Sequence, residues 1–548
     1  MNGAKALLES LKECGVDTVF GYPGGSVIPL YDALYEDERF NHIRTAHEQG
    51  AVHAADGYAR STGKVGVCFV TSGPGATNTI TGLATAYMDS APLVIISGQV
   101  ATPLLGRDSF QEVDIVGITF SVTKHNYQVR EVEKIPEVVK KAFEIANSGR
   151  PGPVLIDIPK DIFLKEFNYE KYIKNEDNHK ESKLRDTDME DIAQLINKSE
   201  RPIIYAGGGV KISYGENELL DLIEKADIPV VNTLMSLGTT PRDHQLSLGL
   251  VGMHGFKECN LAVANCDLLL AIGARFSDRV VGDATKFASK AKIIHLDIDS
   301  SEVHKNVNAH LAVVGDIKNM IKAITKRVKA KDNSQWKKDI AGWKRQLKDE
   351  GEFNPKNILD SFYEKLGKEA FVATDVGQHQ MWTAQHWRFN ETNKFITSGG
   401  LGTMGFGLGA AIGAKVANPD KPVLLVTGDG SFRMNSNELF TVAKYNIPLT
   451  ILLMNNSALG MVRQWQRMFC GGRYSETDVD ESVDYVRLVN AYGIEGHSVD
   501  SLEGLKDVLS KVELGKKTVF IECKILKDES VYPIVPPGKP IDTILLEG

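Results

Sequence analysis

No segment of this 548-residue sequence is long and apolar enough to cross a bilayer; the longest nearly apolar stretch, "LAVANCDLLLAIGA", is interrupted by Asn265 and Asp267. The start, "MNGAKALLESLKECGVDTVFG", lacks the apolar core of a signal peptide and the Arg/Ser bias of a transit peptide. It reads instead as a capped amphipathic helix leading into a strand. Cysteine is scarce. Cys14, Cys68, Cys259, Cys266, Cys470 and Cys523 form no C-x-x-C and no regular spacing, so buried free thiols in a reducing cytoplasm are expected. Strong charge of one sign is also missing: the formal charge of −8 is spread thinly, and no Lys/Arg stripe interleaves with aromatics, which make up only 8% of residues. Nucleic acid and membrane are therefore not expected partners. What is present, 42% hydrophobic and 24% charged residues with 50 glycines, suits a globular protein of about three domains for this length.

Short β-branched runs alternate with helical patterns throughout, which predicts an α/β protein of doubly wound parallel sheets covered by helices on both faces. Residues 164–188 and 329–357 are highly charged and poor in strand formers; read as connectors, they divide the chain into domains at 1–165, 188–330 and 357–548. The outer thirds carry a faint repeat. "VTSGPGATNTITGLATAYMDSAPLVIISG" from Val70 aligns without gaps with "VTGDGSFRMNSNELFTVAKYNIPLTILLM" from Val426, matching Leu83 with Leu439 and Thr85 with Thr441. Asp429 falls opposite Gly73, so two similar domains with unequal equipment are expected to build one site between them.

The polar residues that end two apolar runs carry the chemistry. "PVLLVT" runs into "GDGS", and "IPLTILLM" runs into Asn455-Asn456. Two parallel strands joined by a right-handed crossover bring both carboxyl ends to one sheet edge, where ligands bind in open α/β sheets. Asp429 and Asn456 then offer a carboxylate and an amide oxygen, hard ligands for Mg²⁺ or Ca²⁺, and the backbone of the turn offers N–H groups to a phosphate. Asn435 and Glu438 are spaced as a capping pair for the intervening helix. The bland alternative makes Asp429 and Asn456 turn residues satisfied locally.

This Gly-Asp-Gly-Ser…Asn-Asn segment resembles the diphosphate–Mg²⁺ motif of thiamine diphosphate enzymes. The resemblance implies metal ligands at Asp429, Asn456 and the Ala458 carbonyl, with Gly428, Gly430, Ser431 and Met461 around the cofactor. It also implies a glutamate from the N-terminal domain at the pyrimidine ring. "HEQGA" followed by "DGYAR" matches that motif at Glu48, where a helix-start glutamate is otherwise the plain reading. Hydrogen-bonded to a ring nitrogen, such a carboxyl favours the tautomer that deprotonates the thiazolium carbon.

Nearly the whole chain is similar to the large catalytic subunits of acetolactate (acetohydroxyacid) synthase. "FGYPGGSVIPLYDAL" carries Gly25 and "DSFQE" carries Phe110 and Gln111; with Lys160, these are the further catalytic residues that the resemblance implies. "DVGQHQMW" supplies Gln378 and His379 for the diphosphate, and "TSGGLGTMGFGLG" supplies Gly402 and Met404, the latter beneath the thiazolium. Arg279 of "ARFSDRVVG" and Trp465 of "GMVRQWQ" are expected to shape the site for a second keto acid. The bare Gly207-Gly208-Gly209 is a weak nucleotide signal. The resemblance nevertheless implies that FAD binds the middle third through those glycines, Arg150, Thr233, Leu234, the segment from His254 through Gly273 to Arg275, and Asp297 to Asp316. No net electrons move in a condensation, so the flavin is expected to be structural.

The implied enzyme decarboxylates pyruvate and joins the remainder to pyruvate or 2-ketobutyrate, giving 2-acetolactate or 2-aceto-2-hydroxybutyrate on the way to valine, leucine and isoleucine. A homodimer or dimer of dimers with sites between subunits and a small regulatory subunit are the implied assembly. Singly, other readings stay open: Phe110 and Met404 as core, His379 as an interior histidine, Arg279 paired with Asp278. Departures from the family pattern are Ala101-Thr102-Pro103 after "GQV", "NNSALG", Gly409 in place of proline, and Ser26, whose hydroxyl is expected near the substrate. A pyruvate oxidase, a simple 2-keto acid decarboxylase and an inactive binding paralogue are the alternatives; a glyoxylate carboligase is disfavoured by the presence of Glu48.

Overall fold

A computed structural model describes residues 1–172, 184–344, 353–479 and 482–546. It contains three six-stranded sheets in which every pairing is parallel. The first uses β1 (Thr18–Gly21), β2 (Asn41–Arg44), β3 (Gly66–Val70), β4 (Leu93–Gln99), β5 (His125–Gln128) and β6 (Val154–Pro159). The second uses β7 (Pro202–Ala206), β8 (Val230–Asn232), β9 (Ser247–Leu250), β10 (Leu268–Ile272), β11 (Lys292–Asp297) and β12 (Leu311–Val314). The third uses β13 (Phe371–Thr374), β14 (Phe395–Ile396), β15 (Val423–Gly428), β16 (Thr450–Asn455), β17 (Glu495–Val499) and β18 (Val519–Lys524). The central strands of each sheet are buried from end to end, as the unbroken runs "GVCFV", "LLLAI" and "VLLVTG" require when helices cover both faces. The doubly wound α/β class expected from the alternating pattern is therefore observed.

The faint repeat is real. The first sheet is ordered β2-β1-β3-β4-β6-β5 and the third β14-β13-β15-β16-β18-β17, the same winding. Val70 and Val426 both lie on the third strand of their sheets. The middle sheet winds differently, β12-β11-β10-β7-β8-β9, and reverses between β7 and β10. That is the strand order of dinucleotide-binding folds, in which the reversal opens the ligand crevice.

The outer domains are joined by two crossing helices, Glu48–Thr62 and Phe406–Ala417. Their backbones touch because glycines face the contact. A Cβ on Gly57 would lie 2.0 Å from the Ala410 carbonyl oxygen, and one on Gly413 would lie 1.8 Å from that of Ala54. Gly409, the departure from proline, sits in the same seam, where a Cβ would meet His53 at 2.7 Å. Arg60 is buried beside this seam, paired with Asp56 and Asp89 and donating to the Thr397 carbonyl at 2.8 Å.

Two expectations need correction. Part of 329–357, read as a connector, is the helix Ser334–Trp343. Its Trp336 is buried against the middle sheet and donates Nε1–H to the Pro202 carbonyl at 3.2 Å, because its apolar face outweighs the charge that dominates its composition. Residues 173–183 and 345–352 of the two expected connectors lie outside the described residues. All six cysteines are free, but only Cys68, Cys259, Cys266 and Cys523 are buried; Cys14 is half-buried and Cys470 is exposed. The opening helix is observed at Gly3–Glu13, capped by the Asn2 side chain. Among the described residues no helix is long and apolar enough to cross a membrane.

Candidate active site

Since each sheet is parallel, the carboxyl ends of its strands share one edge, and nearly every residue singled out in the sequence falls there. Gly25 follows β1, Glu48 follows β2, Phe110 and Gln111 lie on the loop after β4, and Lys160 directly follows β6. In the middle domain Gly207–Gly209 follow β7, Thr233 and Leu234 follow β8, and His254 follows β9. Gly273, Arg275 and Arg279 follow β10, Asp297 ends β11, and Asp316 follows β12. In the third, Gln378 and His379 follow β13, Gly402 and Met404 follow β14, and Gly428–Ser431 end and follow β15. Asn456, Ala458, Met461 and Trp465 follow β16. Arg150 alone precedes its strand, β6.

The third edge fits a metal and a diphosphate. Asp429 is buried and its Oδ2 has no partner among the described residues. Burial pushes this carboxyl up to about 6, opposed by backbone N–H groups of Asp429 itself, Gly430 and Ala458. A buried carboxylate with an open oxygen is arranged for a cation. Asn456 and Ala458 are buried beside it. The first asparagine of the pair is structural: Asn455 donates to Glu522 at 2.6 Å and accepts from the Ser457 N–H at 2.9 Å. Two helices, Gln378–His386 and Asp429–Asn435, open at this edge on Gly377 and Gly428 without side-chain caps, which leaves N–H groups for phosphate. His379 Nε2 is buried without a partner among the described residues, and burial lowers this imidazole to about 3, so it is neutral. The Gln378 side chain is already engaged, donating to Gln464 and to the Glu529 carbonyl and accepting from Asn456 Nδ2. A Cβ on Gly430 would lie 3.6 Å from the Met404 methyl, which places that methyl over the metal turn. Ser431 donates to the Val376 carbonyl, and Met461 packs on the domain core.

At the first edge Glu48 is buried at the start of its helix and accepts a hydrogen bond from Asn78 Nδ2 at 2.9 Å. Gly73 and Gly75 let the neighbouring loop approach. A Cβ on Gly75 would lie 3.2 Å from Glu48 Oε1, and one on Gly73 would lie 2.9 Å from Gln111 Cα. Gln111 itself takes a φ of 60°, and Phe110 beside it is 89% exposed. Phe110 is therefore not core. Gly25 is open to solvent with nothing within 4 Å of a Cβ. Ser26 does not face that space: its hydroxyl is buried against Thr71 Oγ1 at 2.9 Å and accepts from the Ser72 N–H at 2.9 Å, correcting the expected substrate contact. Lys160 is half-buried beside Asp161, which holds the Thr102 loop by accepting from its N–H at 2.9 Å.

The middle edge fits an anionic ligand at the reversal between β7 and β10. Gly207 and Gly273 pack so closely that a Cβ on Gly207 would lie 2.1 Å from the Gly273 carbonyl oxygen. Arg275 donates no hydrogen bond from its guanidinium among the described residues, and burial together with the charge of Arg150 lowers it. His254 Nδ1 is buried without a partner among the described residues. Arg150 reaches in from the first domain and donates to Glu302 at 2.9 Å. Asp316, by contrast, caps the following helix by accepting from Asn319 N–H at 2.8 Å.

Arg279 and Trp465 come from different domains and meet, with the guanidinium carbon 5.3 Å from the indole centroid. The Asp278 pairing exists but is loose, 3.8 Å between exposed groups. The C-terminal tail straps this corner. Val535 N–H donates to the Met253 carbonyl, Met253 N–H to the Arg279 carbonyl, and Asp283 N–H to the Lys539 carbonyl.

Sequence reasoning missed two buried residues. Gln464 links Gln378 to Val531 of the tail, and no period or spacing marks it. Glu438 was taken with Asn435 as a capping pair for its own helix. Asn435 instead donates to the Gly405 carbonyl, and Glu438 accepts from the N–H groups of Ala46 and His47 in the first domain. The correction is physical: a buried carboxylate goes where two unpaired donors are, and these lie at the mouth of the Glu48 helix.

Two like-wound parallel-sheet domains and a third with the dinucleotide-type strand order are the three parts that models of thiamine pyrophosphate enzymes describe. Models of that class match throughout: the N-terminal TPP binding domain over residues 1–118, the central domain over 189–324, and the C-terminal TPP binding domain over 375–523. The chain is 46% identical to a probable acetolactate synthase large subunit of Methanocaldococcus jannaschii, over 100% of this chain and 95% of that one. It is 44% identical to the acetolactate synthase isozyme 2 large subunit of Escherichia coli, over 98% of both. Against the acetolactate synthase large subunit of Porphyra purpurea the identity is 43%, over 98% and 94%. The chain belongs to the acetolactate synthase large-subunit family. It is a thiamine diphosphate-dependent enzyme, and Mg²⁺ and FAD are the family's usual companions.

Proposed function

We propose that this enzyme condenses pyruvate with a second 2-keto acid, pyruvate or 2-ketobutyrate, as the catalytic subunit at the first common step of branched-chain amino acid synthesis. The reading rests chiefly on the buried, open carboxylate of Asp429 beside Asn456 and Ala458. Residues 1–165 bind the pyrimidine, 188–330 the flavin, and 357–548 the diphosphate and metal. When bound, thiamine diphosphate supplies the electron sink that lets pyruvate lose carbon dioxide and its remaining carbons act as a nucleophile. Asp429, Asn456 and the Ala458 carbonyl hold Mg²⁺, while the uncapped helix starts at Gln378 and Asp429, with neutral His379, receive the diphosphate. Gly402, Gly428, Gly430, Ser431 and Met461 would shape that cradle, and Met404 would support the bound cofactor. Glu48 holds a proton against the pyrimidine nitrogen from a buried helix start. Gly25, Phe110, Gln111 and Lys160 line the space where the keto acids react. Arg279 receives the acceptor's carboxylate, and Trp465 gives apolar contact to its side chain.

Arg150, Gly207–Gly209, Thr233, Leu234, His254, Gly273, Arg275, Asp297 and Asp316 form the flavin site, where FAD has a structural role. The enzyme works as a homodimer or dimer of dimers with sites between subunits. No hydrogen bond or ion pair links Glu48 to Asp429 within the described residues, and Phe110, Phe120 and Met434 are exposed apolar groups that a second copy would cover. A small regulatory partner fits the large-subunit title of its relatives, and free thiols fit the cytoplasm. Glu48→Gln is the direct test. Carboligation should fall by about a thousandfold or more, the scale of a lost acid–base group, while thiamine diphosphate still binds; an unimpaired variant would overturn the mechanism.

A further inference from the structure

The loop that delivers Glu48 is held by the metal-bearing domain. Arg44 N–H donates to the Tyr445 hydroxyl at 2.9 Å, Ala46 N–H to Glu438 Oε2 at 3.1 Å, and His47 N–H to Glu438 Oε1 at 3.0 Å. Thr441 Oγ1 donates to the same carboxylate at 2.6 Å, so both of its oxygens are used. Glu438 is completely buried, and no cation pairs with it among the described residues. It ends the single 3₁₀ turn that directly follows the Asp429–Asn435 helix. Gly50, in the first turn of the Glu48 helix, leaves it room, since a Cβ there would lie 2.1 Å from Glu438 Oε1.

A buried carboxylate without a counter-ion is costly unless its hydrogen bonds are good, and these are charge-assisted. Its partners are the two peptide N–H groups immediately before Glu48, whose positions fix where the Glu48 side chain begins. We propose that Glu438 is a positioning residue for Glu48, holding the peptide at Ala46–His47 so that the Glu48 carboxyl meets the cofactor's pyrimidine at the correct height. The proposal rests on the reading of Glu48 given above. Burial, foremost, raises the Glu438 carboxyl, and the hydrogen bonds from Thr441, Ala46 and His47 oppose it. With sites between subunits, one continuous segment, Asp429 to Thr441, thereby ties the metal end of one cofactor site to the glutamate that serves the other.

Glu438→Gln is isosteric, but it turns an amide N–H toward one of the two donors. In the cofactor-free protein, hydrogen–deuterium exchange of the peptide spanning Ala46 and His47 should quicken by about tenfold or more, as expected for loss of a buried hydrogen bond. Glu48→Gln should leave that exchange unchanged. With thiamine diphosphate and Mg²⁺ bound, exchange of the cofactor's thiazolium proton into heavy water should slow by about tenfold or more in Glu438→Gln. Cofactor affinity, set by Asp429 and Asn456, should stay within about threefold. Thr441→Val removes only the third hydrogen bond and should slow the same proton by a smaller factor, which keeps the test valid if Glu438→Gln folds poorly. Thiazolium exchange at the wild-type rate in both variants, with Glu48→Gln abolishing it, overturns the positioning role. Unchanged exchange in Glu48→Gln would instead overturn the reading of Glu48 itself.

Discussion

At the scale of single residues, the site is a set of polar groups left incomplete by the chain that carries them. Asp429 Oδ2, His379 Nε2, His254 Nδ1 and Trp465 Nε1 are all buried without partners among the described residues, and each lies at a carboxyl-end edge. A native core rarely leaves such groups unsatisfied, so an open polar atom at a strand's carboxyl end is a place to receive a ligand. The Arg279–Trp465 contact is the most specific of these features, because a guanidinium stacked on an indole presents a carboxylate partner and an apolar wall together. Trp465→Leu should therefore change selectivity more than rate. In competition between pyruvate and 2-ketobutyrate, the preference for the larger acceptor should fall by about tenfold, the size of one apolar contact in a pocket. Product ratios by chromatography check this.

At the scale of elements, how much was legible in the sequence follows from how local each signal is. The alternating runs predict parallel sheets, and "GDGS" predicts a strand end followed by a helix, which is where Asp429 lies; both signals depend on nearest neighbours in the chain. The repeat between Val70 and Val426 was faint in residues yet complete in winding, because sheet order is kept by burial and not by particular side chains. The roles of Glu438 and Ser26, and the helix carrying Trp336, escape a reading of the sequence for one reason. Their partners, His47, Thr71 and Pro202, are distant in sequence, so no spacing rule could find them. Glycines in the seam between Glu48–Thr62 and Phe406–Ala417 are a case in which element packing decides the residue. Gly413→Ala would drive a methyl into the Ala54 carbonyl. It should lower stability by about 1–3 kcal/mol or more through overpacking, read as an earlier denaturant midpoint.

At the scale of the whole molecule, buried histidines set the response of folding to acid. Burial, foremost among the causes, lowers His42 to about 4, His53 to about 3 and His386 to about 4, against an ordinary value of 6.5. A depressed histidine is neutral when folded and takes up a proton on unfolding. The stability it contributes is thus fully present above pH 6.5 and is lost as pH falls toward 4 or 3. Each such residue should remove about 1.4 kcal/mol per pH unit across that window. Chemical denaturation of the cofactor-free protein between pH 7.5 and 5 checks the slope, and His53→Gln should flatten it.

The central claim, carboligation without net oxidation, is tested most directly by the product made from pyruvate alone. The purified protein, given thiamine diphosphate, Mg²⁺ and FAD and no added oxidant, should release 2-acetolactate and carbon dioxide with the flavin remaining oxidised throughout. Acetate with hydrogen peroxide, or free acetaldehyde, would contradict it.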